Sequence, residues 1–410
     1  MAESTDGYSV DRRTVLQGAG AAALTGITVS TTSVAGEEND DEHDEDDNLL
    51  VLIYDDSPRE DYTKAFPVHQ EYDVPGCVAI CPGFVGSDSR WMHQGHVNEL
   101  HEAGWEVMSH TLMHRALGEI PVRSDIEEGD TEIHVQSSLH GQYSGDPLVI
   151  FNDDTEVTAT SAGRNDTGDE AILALEEPIE EDIEIDGEFH TWVRYTDEFT
   201  EEILEESKAQ IEEWGFGPVT AYVHTYNRYD GFVSELVPEY YDVIPNRHGG
   251  GLNPTFDPDP LALSRGNFED PSMSESDLGE FLDTIADEPD FGILYGHTNH
   301  TDFTQDRIEN TIEMAQERGI EVVTLQEALT RLGVLELDTD NGDDDNGIDD
   351  GDDGDDADDD DFADDTGNGI DGTDDDGIFD SIAGGIQSGI TRIQSAGSDF
   401  VSWLRGLWPF

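Results

Sequence analysis

Apolar residues fall along this chain in short runs separated by turn residues and by amphipathic stretches. Seven runs stand out: Leu49–Tyr54, Val78–Ile80, Trp105–Ser109, Val219–His224, Tyr241–Ile244, Phe291–Gly296 and Ile320–Leu325. Each reads as a short strand. Helical periodicity lies between several of them, at Trp91–Ala103, Thr200–Trp214 and Gln305–Arg318, with Gly104 and Gly319 where helix stops belong. Strand and helix in alternation predict an α/β domain with parallel strands.

Residues 119–195 break that rhythm. Thr131–Val135, Leu148–Phe151, Val157–Thr160 and Ile172–Leu175 read as short strands punctuated by turn residues. They predict a small antiparallel β module inserted into a domain formed by 48–118 and 196–335. Cys77 and Cys81 flank one strand run. Four strand residues span about 13 Å, beyond the roughly 7 Å that a disulfide tolerates. Both are therefore read as small buried side chains.

The two ends differ in character. Asp11-Arg12-Arg13-Thr14-Val15-Leu16-Gln17, a mildly apolar stretch and Ser33-Val34-Ala35 resemble a twin-arginine export signal over 1–36. Residues 37–47 form an acidic linker. A second linker, 336–377, is rich in Asp; positions 338–376 hold 21 Asp and no basic residue. Such a run cannot bury a core and is expected to be disordered. Its Asp-x-Asp-x-Asn-Gly fragments lack the Glu that a calcium-binding EF-hand loop requires. In 378–410, Ile378, Ile382, Ile386, Ile390 and Ile393 recur at helical spacing before Trp403 and Trp408. This is an amphipathic helix pattern that would dock on a membrane surface, on a cell-envelope partner or on the protein's own body.

With 97 acidic and 18 basic residues the net charge is −79, which repels phosphates and excludes nucleic acid as a partner. A disordered acidic chain is one reading of that charge. The apolar runs and the Trp and Tyr of the middle favour a folded protein adapted to high salt, where screening shortens repulsion to about 3 Å at 1 M.

Polar groups gather where the strand runs end. Asp55 and Asp56 follow the first run, and His110 closes the third, with His114 one turn beyond. His224, Tyr226 and Asn227 follow the fourth, and His297 the sixth. In barrels of parallel strands the C-terminal ends form the reactive face. Two imidazoles and one carboxylate suit a zinc-type ion with an open position, and a spare carboxylate is left to act as a base.

These residues resemble the motifs of the polysaccharide deacetylase family, the NodB-homology domain or carbohydrate esterase family four. The first motif, Thr-Phe-Asp-Asp-Gly, stands here as Ile53-Tyr54-Asp55-Asp56-Ser57. The second, His-Ser/Thr-x-x-His, is His110-Thr111-Leu112-Met113-His114. A late Leu-x-x-His motif corresponds to Ile293-Leu294-Tyr295-Gly296-His297. The resemblance implies a distorted (β/α)7 barrel and a haloarchaeal-type secreted enzyme, outside the cell or on its surface. It implies that Asp56, His110 and His114 hold a divalent metal, most often Zn2+, with Co2+ or Ni2+ as substitutes. Asp55 would be the general base and His297 the general acid. The Tyr226 amide would be the oxyanion donor. The implied reaction is hydrolysis of N- or O-acetyl groups on an acetylated polysaccharide or oligosaccharide, which places the chain among hydrolases of non-peptide carbon–nitrogen bonds.

The pattern also departs from the family. The third motif, often Arg-x-Pro-Tyr-Gly, is Val223-His224-Thr225-Tyr226-Asn227 here, so the Arg that orients the base is missing; Arg228 is nearby and Arg265 is a candidate replacement. A lost cation favours the alternative of an inactive carbohydrate-binding or cell-surface structural protein on the same scaffold. The β module follows the second motif and is expected to wall the substrate groove. Tyr143, Trp192, Tyr226, Tyr229 and Tyr295 are candidates to stack on sugar rings.

Overall fold

The computed structural model describes residues 48–336 except 169, 186–189 and 270. The export-signal stretch, the 37–47 linker, the Asp-rich linker from 337 onward and the 378–410 segment lie outside the described residues.

Three parallel strands open the fold: β1 (Leu49–Asp55), β2 (Cys77–Ile80) and β3 (Glu106–Ser109). All seven residues of β1 are buried, as an unbroken apolar run requires when both faces are covered. The chain then builds a separate antiparallel sheet from β4 (Ile120–Pro121), β5 (Glu132–Val135), β6 (Pro147–Phe151), β7 (Glu156–Arg164), β8 (Ala171–Leu175) and β9 (Trp192–Tyr195). Its order is β4-β9-β6-β7-β8-β5. An antiparallel bridge between Val122 and Val135 brings the last strand back beside the first. Ile120, Ile133, Leu148, Ile150, Leu173 and Val193 fill its interior.

The return to the first sheet adds β10 (His248–Gly249), β11 (Leu252–Pro254), β12 (Ser264–Asn267), β13 (Asp290–Gly296) and β14 (Glu321–Val323). β13, β1, β2 and β3 lie side by side and parallel. The circle continues through parallel bridges Ser109–Tyr222 and Ala221–Val243. Ile244 then exchanges hydrogen bonds with the 260–263 turn, its N–H donating to Pro260 and its carbonyl accepting from Leu263. β12 pairs with β13 to close the ring. The domain is thus α/β, a distorted barrel of seven strand positions carrying an antiparallel module.

Two details differ from the sequence reading. The ring member beside β13 is β12, whereas the Ile320–Leu325 run, expected as a barrel strand, contributes only β14, which pairs with the first half of β1, Leu49–Val51. Ser264-Arg265-Gly266-Asn267 carries no apolar side chain, so hydropathy does not mark it as a strand. Gly266 lies where backbones approach closely; a Cβ there would meet the Gly250 carbonyl and Leu294 at 3.2 Å. The expected helix stops are present, with Gly104 at φ 85° and Gly319 at φ 74°, a backbone region that glycine enters without strain. Cys77 and Cys81 are buried and unbridged.

Candidate active site

Register brings the polar residues to one rim. Tyr54 pairs with Gly296, Asp55 with Ala79, and Ile80 with Ser109. The next residues along those strands, Asp55-Asp56, Cys81, His110 and His297, therefore emerge at the same C-terminal end. Among the described residues, eight non-glycine residues have positive φ, and six of them are Asp56, Ser57, Thr111, His114, Tyr226 and Asn227. Each such residue costs of order 1–3 kcal/mol unless its surroundings enforce it, and such strain gathers at functional sites. Ser57, where the related motif has Gly, sits at φ 64° and accepts the Cys81 N–H on its Oγ at 2.7 Å.

Asp56, His110 and His114 converge. One oxygen, Asp56 Oδ1, lies 3.2 Å from His110 Nε2 and 2.9 Å from His114 Nε2. The His110 Nδ1 is 2.8 Å from the Val223 carbonyl. A carbonyl only accepts, so Nδ1 carries a proton, and Nε2 is the ring nitrogen turned toward the carboxylate. Asp56 Oδ1 is buried and makes no hydrogen bond of good geometry. Donor atoms from three side chains facing one point could hold a cation between them. The donor set of two imidazoles and one carboxylate fits a zinc-type ion with room for a further ligand. Burial alone would raise the Asp56 carboxyl, but the His114 and His110 imidazoles hold it well below its usual range.

The neighbouring carboxylate is held differently. Asp55, 1 % exposed, receives both arms of the Arg265 guanidinium, Nη1 to Oδ1 at 2.9 Å and Nη2 to Oδ2 at 2.7 Å. Arg265 comes from β12, lies 3.9 Å above the Tyr295 ring and reaches Asn227 Oδ1 at 3.4 Å. The cation missing from the third motif is therefore supplied from another strand, and the pair is the bidentate fork that Arg forms and Lys cannot.

On the opposite wall, His297 Nδ1 is 2.6 Å from Glu269 Oε1, and its Nε2 faces Asp56 Oδ2 at 3.9 Å. Burial would lower the His297 pKa, but the Glu269 hydrogen bond and the Asp56 and Asp55 charges outweigh it and lift it to about 9. Glu269 is itself held down at about 2; burial opposes this, and the His297 and His300 hydrogen bonds prevail. His300 Nδ1 takes the other oxygen, Oε2, at 2.7 Å. Glu269, His297 and His300 also have the composition of a metal set. Here, though, each imidazole meets its own oxygen at hydrogen-bond length, so protons suffice to hold the cluster.

Loops around the rim are fixed from below. The turn at Asp61–Ala65 is a π-helix, a form that often marks functional sites. From it, Asp61 accepts the Thr298 hydroxyl at 2.6 Å, and the Lys64 ammonium donates to the carbonyls of Thr298 and Phe303.

Asp55, Asp56, His110, His114 and His297 are thus together. Tyr226 joins them in a left-handed turn (φ 55°, ψ 17°), its ring 4.6 Å from His114 and 47 % exposed. His224 is buried beneath, between the Tyr222 and Tyr229 rings, and lies outside the ligand set. The sugar-stacking candidates differ in exposure. Tyr143 is buried, Tyr143, Tyr229 and Tyr295 each carry a guanidinium over one face, from Arg115, Arg247 and Arg265, Trp192, Tyr229 and Tyr295 are half-buried, and Tyr226 is the most exposed of the five. Glu269 escaped the sequence reading. The available signal was its position two residues beyond Asn267, at the end of a strand that hydropathy hides.

The family model described as polysaccharide deacetylase matches residues 42–142, a span containing both the Asp55-Asp56 and the His110–His114 motifs. No curated protein matches the chain. Among solved structures, the chain is similar to the Xyl-CE4 domain of a multidomain xylanase from the hindgut metagenome of Trinervitermes trinervoides. Identity there is 11 %, coverage 70 % of this chain and 91 % of that one, and the TM-score 0.39. A family 4 acetyl xylan esterase from Clostridium thermocellum, in complex with a cobalt ion, gives 13 %, 70 %, 93 % and 0.39. The chitin deacetylase of the fungal pathogen Colletotrichum lindemuthianum gives 13 %, 68 %, 87 % and 0.36.

Proposed function

We propose that this chain is a metal-dependent carbohydrate deacetylase that hydrolyses N- or O-acetyl groups of a polysaccharide or oligosaccharide. The observation that carries this reading is the division of labour between adjacent carboxylates. Asp56 shares one oxygen with two imidazole nitrogens, while Asp55 is turned away onto Arg265. The match of residues 42–142 to the polysaccharide deacetylase model supports it.

In this reading Asp56, His110 and His114 hold the ion. When bound, a divalent ion such as Zn2+ supplies Lewis acidity and lowers the pKa of water near it. Asp55 accepts the proton of the attacking water. Each carboxylate oxygen has two lone-pair positions, so the Arg265 fork leaves it acceptor capacity while fixing its orientation. Oxygen adds to the acetyl carbon, and the Tyr226 amide, in its left-handed turn, donates to the developing oxyanion. As the C–N or C–O bond breaks, the protonated His297, gripped at Nδ1 by Glu269, delivers its Nε2 proton to the leaving nitrogen or oxygen. The products are acetate and a free amine or hydroxyl.

Export by the twin-arginine route and activity in high salt belong to the same proposal, on the strength of the 1–36 pattern and the −79 charge. The inactive-scaffold alternative drew on the missing third-motif Arg and the long tail; the Arg265 fork on Asp55 counts against the first of these. The test is acetate release from a panel of acetylated oligosaccharides in multi-molar salt. Release by the wild type, and release slower by about 10²–10⁴ in Asp55→Asn, is expected; an ion-loaded wild type inert on every acetylated sugar would favour the binding protein.

A further inference from the structure

His114 is the member of the ligand trio least anchored by the barrel. His110 ends a barrel strand, and its ring is oriented by the Val223 carbonyl. His114 lies four residues further, in a loop, at φ 55°. A residue held in that region keeps its geometry only if its neighbours enforce it. Those neighbours are Met113 and Arg115, and the inserted β module grips both.

The Arg115 guanidinium forks onto Asp146, Nε to Oδ2 at 2.7 Å and Nη2 to Oδ1 at 3.0 Å. The two side chains are 13 % and 6 % exposed. Asp146 sits just ahead of β6, tied into the module by the Ser161 N–H on its carbonyl at 2.9 Å. Tyr143, also in the module, donates its hydroxyl to the Met113 carbonyl at 2.9 Å, and its ring lies 4.5 Å under the Arg115 guanidinium. The barrel contributes the other side of the clamp: Gly83 N–H to the Leu112 carbonyl at 2.8 Å, and the Thr225 hydroxyl to the Arg115 carbonyl at 2.5 Å.

We infer that the inserted module serves as a positioning element for the ion site, setting His114 through the Arg115–Asp146 fork and the Tyr143 hydroxyl. This rests on the reading of Asp56, His110 and His114 as ion ligands, and it is a role separate from walling the groove. Arg115, Asp146 and Tyr143 touch no substrate in this scheme. They act by holding the residues on either side of a ligand, and such supporting contacts are commonly worth about 10- to 100-fold in metal affinity.

The test uses the full chain loaded with Co2+, reading the dissociation constant by chelator competition and ligand geometry by the visible absorption band. Arg115→Lys keeps the charge but loses the fork, Asp146→Asn keeps the shape but loses the charge, and Tyr143→Phe removes one hydroxyl. Arg318→Lys, on the Asp283 pair of the distant helices, is the control. Arg115→Lys and Asp146→Asn are expected to weaken Co2+ binding about 10- to 100-fold and alter the band. Tyr143→Phe should have a smaller effect in the same direction, and Arg318→Lys none. Wild-type affinity and band in the folded variants would overturn the inference. Should both ion-pair variants fail to fold, Tyr143→Phe decides by the same criterion. A wild-type chain that binds no Co2+ would refute the ligand assignment itself, a result distinct from an ion that ignores the module.

Discussion

Arg265 reaches Asp55 from β12 and holds both carboxylate oxygens, at 2.9 and 2.7 Å, with each residue under 5 % exposed. Removing one member of such a buried pair leaves an uncompensated charge and costs about 3–5 kcal/mol. Arg265→Gln is therefore expected to lower the melting temperature. It should also reduce kcat by about 100-fold or more, since general-base catalysis contributes about 10²–10⁴. Co2+ uptake should persist. Melting curves, acetate release and metal content measured together would expose an error if the variant turned over at the wild-type rate.

Asp55→Asn removes the base but leaves Asp56, His110 and His114 untouched. Turnover should fall by about 10²–10⁴, with one ion still bound per chain. Loss of the ion in this variant would instead make Asp55 a ligand.

The His297–Glu269 pair governs the alkaline limb of the rate profile. Without an ion His297 is held up at about 9, against the pull of burial, by the Glu269 hydrogen bond and the Asp56 and Asp55 charges. With an ion on Asp56 the Glu269 hold remains, and activity that needs the His297 proton is lost as pH rises through its raised pKa. Glu269→Gln weakens the hold and should move the fall to lower pH, toward the ordinary imidazole range. An ion on Asp56 offsets that residue's charge, so Glu269 is the partner this variant isolates. Stability follows the same sign: a raised folded pKa stabilises fully below the unfolded value of about 6.5 and is lost as pH rises through about 9. A pH–kcat/KM profile of Glu269→Gln identical to wild type would remove His297 as the acid.

Chelation should abolish activity and leave Asp56 Oδ1 facing two imidazoles without a shared cation. Because the ion binds the folded chain, a free concentration about 1,000 times its Kd adds about 4 kcal/mol of stability. The melting temperature should thus rise with added Zn2+ or Co2+, and Asp56→Ala should show no such rise.

Much of this arrangement was legible in the sequence, for a physical reason. β1, β2, β3 and β13 are buried on both faces, so their apolar runs are unbroken and their ends are marked by the first polar residues, Asp55, His110 and His297. The module was legible because its strands are short and bounded by turn residues. β12 was not, because its inward side chain is a cation that serves the site; the polarity that makes it functional hides it from hydropathy. Glu269 was lost with it. Tyr143 misled in the opposite way. Its type suits a sugar platform, but its ring and hydroxyl are committed to Arg115 and Met113, which only the tertiary contacts reveal.

On the proposed function, one ion held by Asp56, His110 and His114 would make this chain a deacetylase. The most direct measurement is acetate released from an acetylated oligosaccharide as metal-free protein is titrated with Zn2+ in high salt. The account predicts a rate that climbs in proportion to bound ion and levels off at one equivalent per chain, with His114→Ala flat throughout. Release that is undiminished in the metal-free protein, or absent at full occupancy, would contradict it.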